Sequence, residues 1–262
     1  MSRVERATFV THGVTRNVDQ AVERLRALAE REKVTLVGSD GDPQIAVVLG
    51  GDGTMLRALK MFLDSGVPVI GANFGRVGFL AAIPAAELET GLARVFDGEL
   101  AVHSLPTLEV AFDGARHSAV NDVVVVSGVP GRIVELSYSI GGEDLGTQPC
   151  DGLICATPPG STAYNLSNGG PVLVWGLDAA VVTFVAPHTL HARPLVIAPD
   201  ARLEVVNRTP DVEVVVLVDG HAVGYLETEA TVAVGFGTSR TLLATLPEQT
   251  FFTRYAEVFG VG

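Results

Sequence analysis

Five consecutive residues, Gly50-Gly51-Asp52-Gly53-Thr54, carry the sharpest chemical signal in the 262-residue chain. Glycines let the backbone approach a polyphosphate closely and adopt unusual dihedral angles. The run follows the unbroken apolar segment 45–49 and precedes helical periodicity over 54–63. It therefore falls where a helix N-terminus offers free N–H groups and a positive dipole end. Thr54 is expected to cap that helix. Asp52 is the odd member, because a carboxylate beside phosphates repels them. It makes sense as the acceptor of a hydroxyl proton or as the holder of a metal. The purely architectural alternative is a strand-to-helix turn with an acidic helix entry.

Residues 151–171, DGLICATPPGSTAYNLSNGGP, form the second signal. A strand runs into a loop offering hydroxyls, N–H groups and one aromatic ring, Tyr164, to a nucleoside. An ordinary sandwich loop explains the Gly and Pro but not Ser161, Thr162 and Tyr164 side by side. Arg57 lies one turn into the helix after the glycine run, where it is either solvated or in contact with phosphate. His188 and His191 have metal-pair spacing, but no carboxylate or cysteine stands beside them in sequence. They read as hydrogen-bonded structural histidines. Cys150 and Cys155 are too far apart along one strand to bridge and too few to hold zinc. Trp175 reads as packing. Phe251, Phe252, Tyr255 and Phe259 read as core or subunit contacts, and Glu135, Glu143 and Asp144 as solvated charges.

These residues need a scaffold, and the chain changes character near residues 97–99. Before that point strand and helix alternate. Apolar runs at 7–10, 34–37, 45–49 and 67–70 read as strands. Val18, Val22, Leu25 and Ala29 recur at helical spacing behind Asn17, the expected cap, with Gln20 completing a capping box. Residues 85–96 read as a helix entered through Pro84 and left at Gly98. The pattern predicts a Rossmann-like α/β domain over residues 1–98. From 99 to 246 the chain is rich in Val and Thr, with strand candidates at 108–112, 119–127, 134–140, 153–156, 181–185, 203–206, 212–218, 231–234 and 241–246. That reads as an all-β domain, a sandwich. Residues 247–262 are expected to pack back onto the body.

Composition narrows the chemistry. The chain is 47% hydrophobic, ample for a core, and no apolar run reaches a membrane span. The start, residues 1–6, carries mixed charge and leads into no signal-peptide core, so a soluble cytoplasmic protein without membrane association is expected. A net charge of −12 lacks the footprint of a nucleic-acid binder. Lys33 and Lys60 are the only lysines, and neither sits in a Walker-type loop. Any phosphate must therefore be held by N–H groups, a few arginines and a metal.

On these residues the sequence resembles the NAD kinase family. Gly50-Gly51-Asp52-Gly53-Thr54 is similar to the GGDGT motif shared by NAD kinases, diacylglycerol and sphingosine kinases and, more loosely, phosphofructokinases. Residues 151–171 resemble the NAD kinase signature, which lipid kinases are not expected to carry. Asn121-Asp122, residues 71–80 (GANFGRVGFL), Pro187-His188 through Arg193-Pro194, and Val218-Asp219-Gly220 follow the family's further motifs in order and spacing. The resemblance implies transfer of a phosphoryl group from ATP, another nucleoside triphosphate or polyphosphate to the adenosine ribose 2′-hydroxyl of NAD. Asp52 would be the general base, with Gly53 beside the dinucleotide and Gly50, Gly51 and Thr54 in the phosphate loop. Asn121 and Asp122 would hold the nicotinamide ribose. Asp151 would hydrogen-bond the nucleotide. Thr162, Ala163, Tyr164, Asn165, Leu166 and Ser167 would line the NAD site. Arg57 and Arg132 stand at cationic positions, Phe74 near the adenine, and His221 at a position where many bacterial members have Gln. Asp122 stands where many have Glu, and Pro159 replaces a small hydroxyl residue. With so few cationic residues, Mg²⁺ is expected to bridge the donor phosphates. A homodimer or homotetramer is implied.

Three rival functions share parts of this pattern. A lipid kinase shares GGDGT but would need an acyl slot, and an acidic surface disfavours anionic lipids. A dehydrogenase needs G-x-G-x-x-G at the first helix, and His12-Gly13 does not supply it. A non-catalytic NAD sensor would not need an intact Asp52.

Overall fold

The computed structural model describes residues 2–12, 16–74, 78–112 and 114–260, apart from the side chain of Arg16. Gly13, and Gly75, Arg76 and Val77 of the 71–80 motif, lie outside the described residues. The chain forms two compact units. One takes the residues up to Ser104 together with those from Thr241 on; the other spans Leu105–Arg240.

The first unit is α/β. Its elements are β1 (Arg6–Thr11), α1 (Arg16–Arg31), β2 (Thr35–Leu36), β3 (Ile45–Gly50), α2 (Asp52–Met61), β4 (Val69–Asn73), β5 (Ile83–Pro84) and α3 (Leu88–Phe96). Strands β2, β1, β3 and β4 lie side by side, all parallel, and β5 joins the end of β4 at Ala72 and Asn73. The apolar run at 45–49 becomes the central strand with every residue buried, as a parallel sheet covered on both faces requires. Leu25, Leu28, Leu92 and Phe96 of the helices close over it in one core. Helix α1 already includes Asn17, so Asn17 is not its cap.

The second unit is a sandwich of antiparallel sheets. Strands β6 (Ala101–Phe112), β7 (Ala115–Ala119), β8 (Asp122–Ser127), β9 (Val134–Ile140), β10 (Glu143–Cys150) and β11 (Gly152–Ala156) precede the short helix α4 (Tyr164–Ser167). Then come β12 (Ala180–Val185), β13 (Leu195–Ile197), β14 (Leu203–Asn207), β15 (Val214–Val218) and β16 (His221–Leu226). The long strand β17 (Thr231–Thr245) leads back to the first unit, where Leu243 pairs with Val69 of β4 and helix α5 (Phe251–Phe259) ends the fold. One sheet of the sandwich runs β13-β12-β11-β8-β15-β16, and the facing one contains β10-β9-β14-β17. Alternate residues such as Val123, Val125, Leu153, Cys155, Val205 and Val216 interdigitate between them. On the outer side of the six-stranded sheet, Val124, Ile154, Ala156 and Val181 pack under Leu173 and Ala179 of the loop that follows β11. Both cysteines are free and buried, and burial pushes each thiol up to about 12.

Several expected elements come out differently. The run 119–127 breaks into β7 and β8 around Val120 and Asn121, because the Asp219 carboxylate takes the N–H groups there. Runs 231–234 and 241–246 fuse into β17. Glu143 and Asp144 open β10, an exposed outer strand not expected from sequence, and β13 and β16 are further unexpected strands at the edges of the six-stranded sheet.

Candidate active site

In the first unit the site is built where β3 hands over to α2. Gly51 is the N-cap, and no side chain caps the helix. The first N–H groups of α2 thus lack intrahelical partners and a dipole end is exposed. Thr54 does not cap: it lies inside the helix, buried, with its side chain over Gly50. A Cβ added at Gly51 or Gly53 would meet nothing within 4 Å. The turn therefore presents donors and open space rather than packing. Arg57 is exposed on α2. Phe74, after β4, is half-buried against the unit's core, and its N–H donates to Gly50 O at 3.2 Å.

Asp52 is the first residue of α2, half-buried, with its carboxylate against residues 78–81. Phe79 N–H donates to Oδ2 at 2.7 Å; Leu80 and Ala81 N–H donate to Oδ1 at 3.1 and 3.2 Å. Three consecutive amides thus form a nest for one anion. Gly78 makes the approach possible, since a Cβ there would lie 2.4 Å from the carboxylate. A carboxylate has roughly four acceptor sites, so three donors fix its orientation and leave one on Oδ2 for an incoming hydroxyl.

In the second unit the residues gather at one end of the six-stranded sheet, where β8 begins, β11 ends and β15 turns into β16. Asp219 and Gly220 make that turn, both at positive φ (50° and 78°) as a tight hairpin requires. The Asp219 carboxylate accepts from Val120, Asn121 and Asp122 N–H at 3.1, 2.8 and 3.3 Å. Thr157 Oγ1 donates to the carbonyls of Val120 (2.6 Å) and Asn121 (3.1 Å). Together they clamp Asn121 and Asp122 in place. Asn121 Oδ1 is buried without a hydrogen-bond partner. Asp122 is only 6% exposed, its carboxylate accepts no hydrogen bond among the described residues, and burial followed by the nearby Asp219 charge pushes it up to about 7. Both are acceptors in want of donors. Exposed His221 donates through Nδ1–H to Asp219 O at 3.0 Å.

The loop after β11 sorts its polar residues into two kinds. Ser161 donates to Pro158 O at 2.6 Å and accepts from Leu173 N–H at 2.9 Å. Asn165 donates to Ser161 and Pro171 carbonyls and accepts from Thr183 Oγ1 at 2.6 Å. Both are fully buried and hold the loop shut. Thr162 and Ala163 are half-buried, Thr162 donating to Pro159 O at 3.0 Å. Leu166 is half-buried, Ser167 exposed, and the Tyr164 ring 42% exposed. Pro159, with φ −55°, sits where a short 3₁₀ turn starts and needs no N–H donor.

Asp151 and Arg132 stand apart from that group. Asp151 precedes β11, so about 20 Å of extended chain separates it from Thr157. Exposed Arg132 lies between β8 and β9. The carboxylate missing beside His188 in sequence is supplied by the fold: His188 Nε2 lies 3.9 Å from Asp151 Oδ1. His191 is exposed and joins no such pair among the described residues. Among the described residues no three His, Cys, Asp or Glu side chains cluster as a metal cage. Asp52, already holding three N–H groups, is poorly placed to found one. Sequence reasoning gives no role to Asp219, which clamps Asn121 and Asp122, or to Arg254, which donates to the Gly78 and Ala81 carbonyls. The Asp-Gly pair between apolar runs was a readable hairpin signal for the first; the second had none.

Residues 5–100 match the ATP-NAD kinase N-terminal domain, and residues 120–246 the ATP-NAD kinase C-terminal domain. The NAD kinase of Gemmatimonas aurantiaca is 38% identical over 222 residues, 82% of this chain and 77% of that protein. The NAD kinase of Nitratidesulfovibrio vulgaris is 36% identical over 94% of this chain and 93% of its own. Two solved structures share the fold. Yeast NADH kinase complexed with NADH has a TM-score of 0.85 at 21% identity, covering 100% of this chain and 89% of that one. An Archaeoglobus fulgidus NAD kinase in complex with ATP has a TM-score of 0.80 at 24% identity, covering 98% and 100%. Because both domains match, the half with the anchored carboxylate and the half with the closed loop alike, this chain belongs to the NAD kinase family.

Proposed function

We propose that this protein phosphorylates the adenosine ribose 2′-hydroxyl of NAD, with ATP as donor, to make NADP. The observation that carries the reading is Asp52: one carboxylate, oriented by three N–H groups at an uncapped helix start beside two glycines with open space. Phosphoryl transfer passes through a loose transition state, so positioning and charge neutralisation dominate. Asp52 Oδ2 accepts the hydroxyl proton as the bond from the ribose 2′-oxygen to the γ-phosphorus forms and the bond from that phosphorus to the β,γ-bridging oxygen breaks, releasing ADP. The free N–H groups of α2 take phosphate charge. Asn121 and Asp122 receive ribose hydroxyls, and Tyr164 with Thr162, Ala163 and Ser167 faces a ring. Mg²⁺, supplied with ATP, would neutralise charge on the transferring phosphoryl group. We also propose that the protein works in the cytoplasm as a homodimer or homotetramer. No helix among the described residues is long and apolar enough to cross a membrane.

The test is purified protein with NAD, ATP and Mg²⁺, scored for NADP. Asp52→Asn is expected to lose about two to four powers of ten in kcat, the usual worth of a general base, while keeping NAD affinity within threefold. Wild-type turnover by that variant would remove Asp52 from the mechanism.

A further inference from the structure

The strap that holds Asp52 is itself held, from the far end of the sequence. Thr250 caps α5 by accepting Thr253 N–H at 3.2 Å, and Gly260, at φ +66°, ends it. The helix buries two residues, Phe251 and Arg254. The Phe251 and Phe259 rings lie 6.0 and 5.6 Å from the Phe79 ring. Gln249 Nε2 donates to Ala82 O at 2.9 Å. Arg254, only 6% exposed, donates through Nη2 to the carbonyls of Gly78 and, at 3.2 Å, Ala81.

The pairing at Gly78 matters most. Its carbonyl belongs to the same peptide unit as the Phe79 N–H, which donates to Asp52 Oδ2. A single amide therefore has a guanidinium on its oxygen and a carboxylate on its N–H. Each charge polarises the amide toward the other, so the two hydrogen bonds strengthen together. Arg254 is also a costly way to fill a buried site. Its Nη1 meets Glu257 at 2.6 Å, but its Nε is buried with no partner. An apolar side chain would serve stability as well or better. The arrangement makes sense if what is needed is a fixed peptide plane.

We infer that Arg254 is a positioning residue for phosphoryl transfer: through the Gly78–Phe79 peptide it sets the direction of the Asp52 carboxylate. This rests on the reading of Asp52 as the general base. C-terminal helix and glycine turn then form one device, with the strap between them.

Arg254→Met keeps the packing volume and removes the donors; Arg254→Lys restores one. With Asp52→Asn assayed beside them, Arg254→Met is expected to lower kcat about 10- to 100-fold, the scale set by sub-ångström misplacement, with KM for NAD changed less than about threefold. Arg254→Lys should recover at least several-fold of that loss. Hydrogen exchange at the Phe79, Leu80 and Ala81 amides should quicken about tenfold or more in Arg254→Met, while the β3 amides keep their protection. If Asp52→Asn is as active as wild type, the general-base reading falls and takes this inference with it. If Asp52→Asn is dead but Arg254→Met keeps kcat within twofold, or its strap amides exchange as in wild type, the inference alone falls. Should Arg254→Met not fold, Phe259→Leu loosens the strap from a half-exposed position. A kcat lowered about threefold or more at constant KM supports the inference, and an unchanged kcat overturns it.

Discussion

A Cβ added at Gly51 or Gly53 would meet open space, whereas one added at Gly160 would lie 2.0 Å from the Asn121 carbonyl oxygen. The first pair of glycines leaves room outside the fold. The second-unit glycine lets the loop close onto β8, where the same Asn121 carbonyl also takes the Thr157 N–H at 2.8 Å. The carboxylates of the two units differ in the same sense. Asp52 is supplied with three N–H donors by its own chain; Asp122 is buried with none among the described residues. The two groups of residues, each within its own unit, thus differ in what they lack. The glycine turn presents uncapped helix N–H groups beside a carboxylate already oriented, and the start of β8 holds two acceptors, Asn121 Oδ1 and the Asp122 carboxylate, without donors among the described residues.

The sharpest way to break this contrast is to add one methyl group to each turn. Gly160→Ala forces a Cβ onto a backbone oxygen that cannot move without releasing Thr157. Overpacking of that kind is expected to cost about 2–3 kcal/mol and to lower Tm by roughly 4–12 °C, read by thermal melting. A melt within 1 °C of wild type would mean the loop is looser than its hydrogen bonds indicate. Gly53→Ala should do the reverse. In the first turn of α2 an alanine is tolerated or stabilising by up to about 1 kcal/mol. Yet NADP formation should fall about tenfold or more, because the methyl occupies space meant for a phosphate or the dinucleotide. Full activity in Gly53→Ala would show that the open space is not ligand space.

How far such roles could be read without coordinates depends on distance along the chain. The glycine turn was legible because strand, turn and helix are contiguous, and the fully apolar run 45–49 announces a buried parallel strand. The alternation of elements to residue 98 and the Val-rich stretch beyond it gave both architectures. Edge strands were not legible: β10 begins Glu143-Asp144 and exposes most of its length, so no apolar face marks it. Within 161–167 the sequence could not separate Ser161 and Asn165, which face inward and hold the loop, from Tyr164 and Ser167, which face out. That sorting depends on the phase of a single helical turn. Asp219 and Arg254 act on residues 97–99 and 173–176 positions away, separations that no local pattern encodes.

The smallest expected effect sharpens the contrast between the carboxylates. Asp122 is pushed up to about 7 from 3.8, first by burial and then by the Asp219 charge. A carboxyl raised on folding contributes stability that is full below its unfolded value and lost as pH rises through its folded value. The window therefore runs from about pH 4 to about pH 7, and above it the protein carries an ionised Asp122 next to Asp219. Asp122→Asn keeps the shape and removes that charge. Its Tm should match wild type near pH 4 and exceed it above pH 7, by the equivalent of about 1 kcal/mol or more, with the difference growing through the window. NAD binding should move the other way. Ribose hydroxyls donate best to an ionised acceptor, so wild-type affinity should tighten from pH 6 to pH 8 and that of Asp122→Asn should stay flat, as titration calorimetry would read. A pH-independent Tm difference would mean that Asp122 stays charged throughout. Donors from the protein or solvent would then already satisfy it, and it would differ from Asp52 in degree rather than in kind.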